Sequence, residues 1–61
     1  MIVEATPGTV TIRQAKEELG LTLDATVTPH QARILAGNLV REGNPAAAEK
    51  LMRAADQAEQ R

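Results

Sequence analysis

The sequence predicts a small, mainly α single domain over residues 1–61, with a short extended segment at its N-terminus. Three observations lead to this fold class. Three segments start with residues that cap helix N-termini, two of them continue as alanine-rich faces with helical spacing, and one stretch alternates with a period of two. The predicted helices span about residues 12–19, 29–42 and 45–59, and the alternating stretch is residues 21–27.

The N-terminal segment has two extended stretches, residues 2–5 and 9–12, on either side of Thr6-Pro7-Gly8. Pro-Gly at the centre of a turn favours type II, whose twist suits a hairpin less well than the primed turns do. The sequence therefore leaves two alternatives open for residues 1–12. One is a β-hairpin, and the other is a single strand followed by a bend.

The first helix is predicted to begin at Thr11, where a capping box with Gln14 would satisfy two backbone donors. Gly20 supplies the left-handed residue that commonly ends a helix. The apolar stripe between these two signals is narrow and consists of Ile12, Ala15 and Leu19.

Residues 21–28 alternate strictly between apolar and polar side chains. A period of two predicts a half-buried strand over residues 21–27. The alternative is a loop that is anchored by its two leucines, Leu21 and Leu23.

The second and third helices have the clearest start signals. Thr28 and Gln31 form a second capping box, with Pro29 at the first helical position, where its missing N–H costs nothing. Asn44 followed by proline gives the third start in the same way. The two-residue break at Gly43 and Asn44 predicts a corner or hairpin between these helices.

The composition indicates that one copy of the chain has a weak core. Of the 26 apolar residues, 11 are alanine, and the chain contains neither cysteine nor an aromatic residue. Disulfides are therefore excluded, and a single histidine cannot build a zinc site alone. Small chains with such limited burial usually depend on oligomerisation. We therefore expect a homodimer or a complex with a partner protein.

The residue types expected of an enzyme are not arranged for catalysis. His30 has no nucleophile or metal ligand at helical spacing, and is predicted to be an exposed helix-start residue. Glu17 and Glu18 are adjacent on a helix and would point about 100° apart, so they cannot act as a catalytic pair. We expect no enzymatic activity, no cofactor and no metal. Without a signal segment or a long apolar run, we expect a cytoplasmic protein that does not enter a membrane.

Residues 22–59 resemble the ribbon-helix-helix proteins, and the ParD-like antitoxins among them. The similarity lies in an alternating strand, a helix that begins TPHQA and ends LVREG, and a second helix that contains EKLMR. The resemblance implies an obligate dimer in which strands of two chains pair into a ribbon that binds DNA. It also implies that Thr22, Asp24 and Thr26 would face the major groove, while the helix start at Asn44 would meet a phosphate.

A second, shorter resemblance covers residues 11–22. The segment TIRQAKEELGLT is similar to the first helix and turn of the helix-turn-helix in excisionase and MerR-type proteins. The second helix of the motif would then have to lie within residues 23–27, because Thr28 begins the next predicted helix. The motif is therefore half present.

These observations predict a small regulatory protein that acts through protein contacts, of the phage, plasmid or antitoxin type. A DNA-binding repressor is the first alternative, and a structural subunit of an assembly is the second. Residues 22–28 contain no Lys or Arg, which favours protein contact over nucleic-acid binding. The predicted contact residues, whose alternative role is an intramolecular core, are Leu35, Leu39, Leu51, Met52 and Ala55.

Overall fold

A computed structural model of the protein describes residues 1–60, in which three strands and three helices are formed. The strands form one antiparallel sheet in the order β1-β2-β3. The mainly α prediction is therefore confirmed only in part, because about half of the described residues are helical and a sheet accompanies them. In chain order the elements are β1 (Ile2–Thr6), β2 (Thr9–Arg13), α1 (Lys16–Leu19), β3 (Ala25–Val27), α2 (Pro29–Arg41) and α3 (Pro45–Glu59).

The N-terminal segment is a β-hairpin, so the first of the two alternatives is the one that forms. Pro7 and Gly8 make the two-residue turn between β1 and β2, and Gly8 has a φ of 81°. The Gly8 N–H donates to the carbonyl of Ala58, with an N···O distance of 2.8 Å. This contact satisfies one of the last carbonyls of α3, which have no partner inside the helix. The turn is thereby fixed by a hydrogen bond to α3.

The predicted first helix over residues 12–19 is wrong in its first half. Residues 12 and 13 belong to β2, and α1 has only four residues and begins after Ala15, which provides no side-chain cap. The capping box of Thr11 with Gln14 does not form. Gln14 has a φ of 54°, a left-handed conformation that follows the last residue of β2. Burial of Ile12 in the core and pairing of β2 with both β1 and β3 favour the strand. In the segment that resembles a helix-turn-helix, residues 11–22, the helix is therefore reduced to the four residues of α1.

The alternating stretch over residues 21–27 forms a strand only in its last three residues. Ala25, Thr26 and Val27 pair with β2, while residues 21–24 form a loop. Leu21 is half-buried at the edge of the core, but Leu23 is 82% exposed. Of the two leucines that were expected to anchor the loop, Leu21 therefore packs against the core and Leu23 does not.

The second and third helices agree with their predicted spans, except that α2 ends at Arg41 rather than at residue 42. In the capping box of α2, the Gln31 N–H donates to Thr28 Oγ1 at 3.1 Å, and the Thr28 N–H donates to Gln31 Oε1 at 3.2 Å. The Ala47 N–H donates to Asn44 Oδ1 at 3.4 Å. Gly43 has a φ of 84°, so it provides the left-handed residue after α2.

The core lies between the inner face of the sheet and the α2–α3 hairpin. Among residues 1–60, eight of the twelve buried core residues are alanine. Alanine lets backbones approach closely, but it contributes less hydrophobic stabilisation than the ~1.5–3 kcal/mol of a buried leucine or isoleucine. The largest fully buried side chains are Ile12, Leu39, Leu51 and Val10.

Candidate functional site

The five predicted contact residues lie in different environments. Leu39, Leu51 and Ala55 are buried in the core between the helices and the sheet, at 1% exposure or less. This is the alternative role that the sequence left open for them. Leu35 is half-buried against the same core, and Met52 is 42% exposed. Of the five, Met52 therefore presents the largest exposed fraction to a partner molecule.

The residues named for DNA contact are not presented together on a strand. Thr22 and Asp24 are exposed in the loop before β3, and Thr26 is the one that lies within the strand. Asp24 Oδ2 is 3.7 Å from Nε of Arg13, so its charge is already paired on the sheet surface. The Asn44 side chain accepts the N–H of Ala47 as the cap of α3.

An apolar groove, which we call the seam groove, runs along the junction of α2 and α3. Its volume is about 460 Å³, and its described lining residues all belong to these two helices, so it opens away from the sheet. Val40, at 57% exposure, and Met52 stand on its two sides. The apolar lining is completed by four small or ring-shaped residues, Ala36, Gly37, Pro45 and Ala48.

Charged side chains on the walls of the seam groove are paired within the chain. Arg33 of α2 donates to Asp56 of α3, with an N···O distance of 2.7 Å, and also forms an ion pair with Glu59. On α3 itself, Arg53 and Glu49 pair at i, i+4 with an N···O distance of 2.6 Å. A neutral, apolar surface could therefore cover the groove while these charged side chains keep their partners.

Of the eight described residues that line the seam groove, only Met52 was among the predicted contact residues, and Gly37 and Val40 are two of those that the sequence did not indicate. Val40 follows Leu39 on α2, but Leu39 is buried in the core and Val40 is exposed to solvent. Gly37 lies in the interior of α2, where glycine costs about 1 kcal/mol relative to alanine. A glycine inside a helix often has a packing reason, and this was the available signal.

The residues considered for catalysis or metal binding do not form a cluster within residues 1–60. His30 is exposed in the first turn of α2, and Glu17 is exposed in α1. Within residues 1–60, no three histidine or acidic side chains are close enough together to hold a metal ion. None of the helices in this part of the chain has the length and apolar character that a membrane span requires.

Comparisons with known proteins give no relative. No family model, no curated protein and no solved structure matches this chain. The resemblance of residues 22–59 to ribbon-helix-helix proteins therefore stays a prediction.

Proposed function

We propose that this protein is a non-catalytic, regulatory protein-contact module, and that it forms a homodimer through the seam groove. The observation that supports the proposal is a groove with the exposed apolar side chains of Val40 and Met52 on its two sides and small residues between them. The occupant of the groove is the same groove on a second copy of the chain.

The shape of the groove suits a two-fold interface. In such an interface the same surface serves both copies, so it must contain projections and the spaces that receive them. Val40 and Met52 are the projections, and Gly37 with its neighbouring alanines leaves the space. Two α2–α3 hairpins packed in this way would form a four-helix layer with one sheet on each outer side.

The weak core gives an energetic reason for dimerisation. Alanine dominates the buried set, so one chain gains little hydrophobic stabilisation for its length. Covering the exposed parts of Val40 and Met52 contributes roughly 1–2 kcal/mol for each side chain, and each dimer covers both residues twice. The internal pairing of Arg33 means that this burial leaves no unpaired charge at the groove wall.

The chain contains a matched pair of residues for testing this proposal. Val40 and Ile34 both lie on α2 and are similarly exposed, at 57% and 54%, but Ile34 does not line the seam groove. We expect Val40→Glu to convert the dimer to a monomer, because two glutamates would be buried in the groove. Ile34→Glu should leave the dimer intact. Both variants should retain the helical content of the wild type, since both side chains are exposed in one chain.

The measurement is the molar mass in solution by light scattering on a sizing column, with circular dichroism to verify folding. Equal effects of the two substitutions, or no effect of either one, would contradict the proposed surface. A mass that grows without limit as concentration rises would also contradict it, since a two-fold interface closes on itself.

A further inference from the structure

Strand β1 has an open edge with unpaired backbone groups. Within residues 1–60 its neighbour in the sheet is β2 on one side, and no strand lies on the other. The two-residue turn makes Thr6 and Thr9 a hydrogen-bonded pair, and such pairs alternate along an antiparallel ladder. Val3 and Ala5 therefore direct their N–H and C=O groups to the open edge.

A second groove, which we call the edge groove, lies between this open edge and α3. It has a volume of about 380 Å³, and Ile2 and Val3 of β1 form one wall. Ala54, a small and nearly buried residue, leaves space between this wall and α3. The wall on α3 consists of Lys50, Arg53 and Gln57.

The α3 wall of the edge groove carries positive charge. No carboxylate among the described residues lies within ion-pair distance of Lys50. Arg53 does pair with Glu49, but both side chains are well exposed, and an exposed pair of this kind is weak. A negatively charged ligand in the groove would therefore meet the ammonium of Lys50, unpaired within residues 1–60, and, beside it, the guanidinium of Arg53, which can contact the ligand while it remains paired with Glu49.

We propose that the edge groove binds an extended acidic segment of a partner protein, which adds to the sheet as a fourth strand beside β1. Backbone groups of the segment would pair with those of Val3 and Ala5, as in other cases of strand addition. Side chains alternate along the segment, so every second one faces α3. A carboxylate at such a position would reach Lys50 and Arg53.

Charge argues against a second copy of the chain as the occupant of this groove. A two-fold pairing of β1 with itself would place Glu4 of one copy opposite Glu4 of the other, or, in a register shifted by two residues, opposite Ile2 or Thr6. Either arrangement would bring the two α3 helices together across the edge, with Lys50 and Arg53 of each copy facing like charges. The proposal thus goes beyond the homodimer, because it concerns another surface and another kind of partner.

The test is a titration of isotope-labelled, full-length protein followed by amide NMR spectra. The probe is an acetylated and amidated seven-residue peptide in which glutamate alternates with valine. We expect saturable shifts at the amides of Val3 and Ala5, together with slower hydrogen exchange at both. The control peptide, with lysine in place of glutamate, should bind about tenfold more weakly because it meets like charge.

Two variants separate strand addition from simple charge attraction. Lys50→Glu should weaken the acidic peptide about three- to tenfold, whereas Lys16→Glu, with the same change in net charge outside the groove, should not. Ala5→Pro removes an edge N–H but leaves the β1–β2 ladder intact, and should abolish the shifts at Val3. The proposal is overturned if neither amide shifts, if both peptides bind equally, or if Ala5→Pro changes the molar mass, which would make a second copy the occupant.

Discussion

Gly37 is a glycine in the interior of α2 that lines the seam groove. A Cβ atom at this position would meet nothing within 4 Å in the same chain. An alanine there would stabilise the isolated helix by about 1 kcal/mol. The glycine thus has no intramolecular explanation, but a side chain at this position would occupy the seam groove.

Substitution of Gly37 should change the stability of the single chain and the affinity of the dimer in opposite directions. We expect Gly37→Gln to raise the free energy of unfolding of the dilute monomer by about 0.5–1 kcal/mol, because glutamine is a better helix former. The same change should weaken the dimer by at least about tenfold, since the longer side chain fills the space for the second copy. Urea denaturation at low concentration measures the first effect, and light scattering measures the second.

Gly37→Ala is the matched control for this experiment. Its single methyl group gives a similar gain in helix stability and fills less of the groove, so the dimer should be affected less than by Gly37→Gln. If Gly37→Gln dimerises as well as Gly37→Ala, the second copy does not enter the groove at this residue.

Thr28 provides a second test at a single residue, because its side chain accepts the Gln31 N–H in the capping box of α2. Thr28→Ala should lower the free energy of unfolding by about 1 kcal/mol, since the helix loses one capped donor. Thr28→Ser retains the hydroxyl and should stay close to the wild type. Urea denaturation that finds the alanine and serine variants equally stable would show that the cap contributes little.

The elements of the fold differ in how much local sequence decides them. Helices α2 and α3 could be predicted almost to the residue, because their caps and end signals lie within a few residues of each boundary. The segment at residues 11–14 has a capping-box pattern as well, yet its first three residues belong to β2. Pairing with β1 and β3 and burial of Ile12 decide this segment, and all of these depend on residues outside it.

The β-hairpin turn supplies a prediction at the level of elements. Gly8 has a φ of 81° and its added Cβ would touch nothing, so the cost of replacing it is purely conformational. Gly8→Ala should therefore lower the free energy of unfolding by about 1–2 kcal/mol, while the N–H to Ala58 is retained. Gly8→Asn should cost less, because asparagine tolerates this conformation better. Equal stability of both variants and the wild type in urea denaturation would contradict the role given to the turn.

At the scale of the whole molecule, the sheet determines which helix residues remain available for contact. The sequence indicated apolar helix faces but not the sheet that covers one of them, so Leu39, Leu51 and Ala55 were candidates for an interface and became core. The seam groove could not be predicted for the same reason. Its position follows from packing the sheet on one side of the α2–α3 hairpin, which leaves Val40 and Met52 on the other.

The most direct test of the homodimer is the molar mass of the wild-type protein across a dilution series. Light scattering on a sizing column needs refractive-index detection, because the chain has no aromatic residue to absorb in the near ultraviolet. We expect twice the chain mass of 6.5 kDa at high concentration and a return to the single-chain mass on dilution. A folded protein with the single-chain mass at every concentration would contradict it.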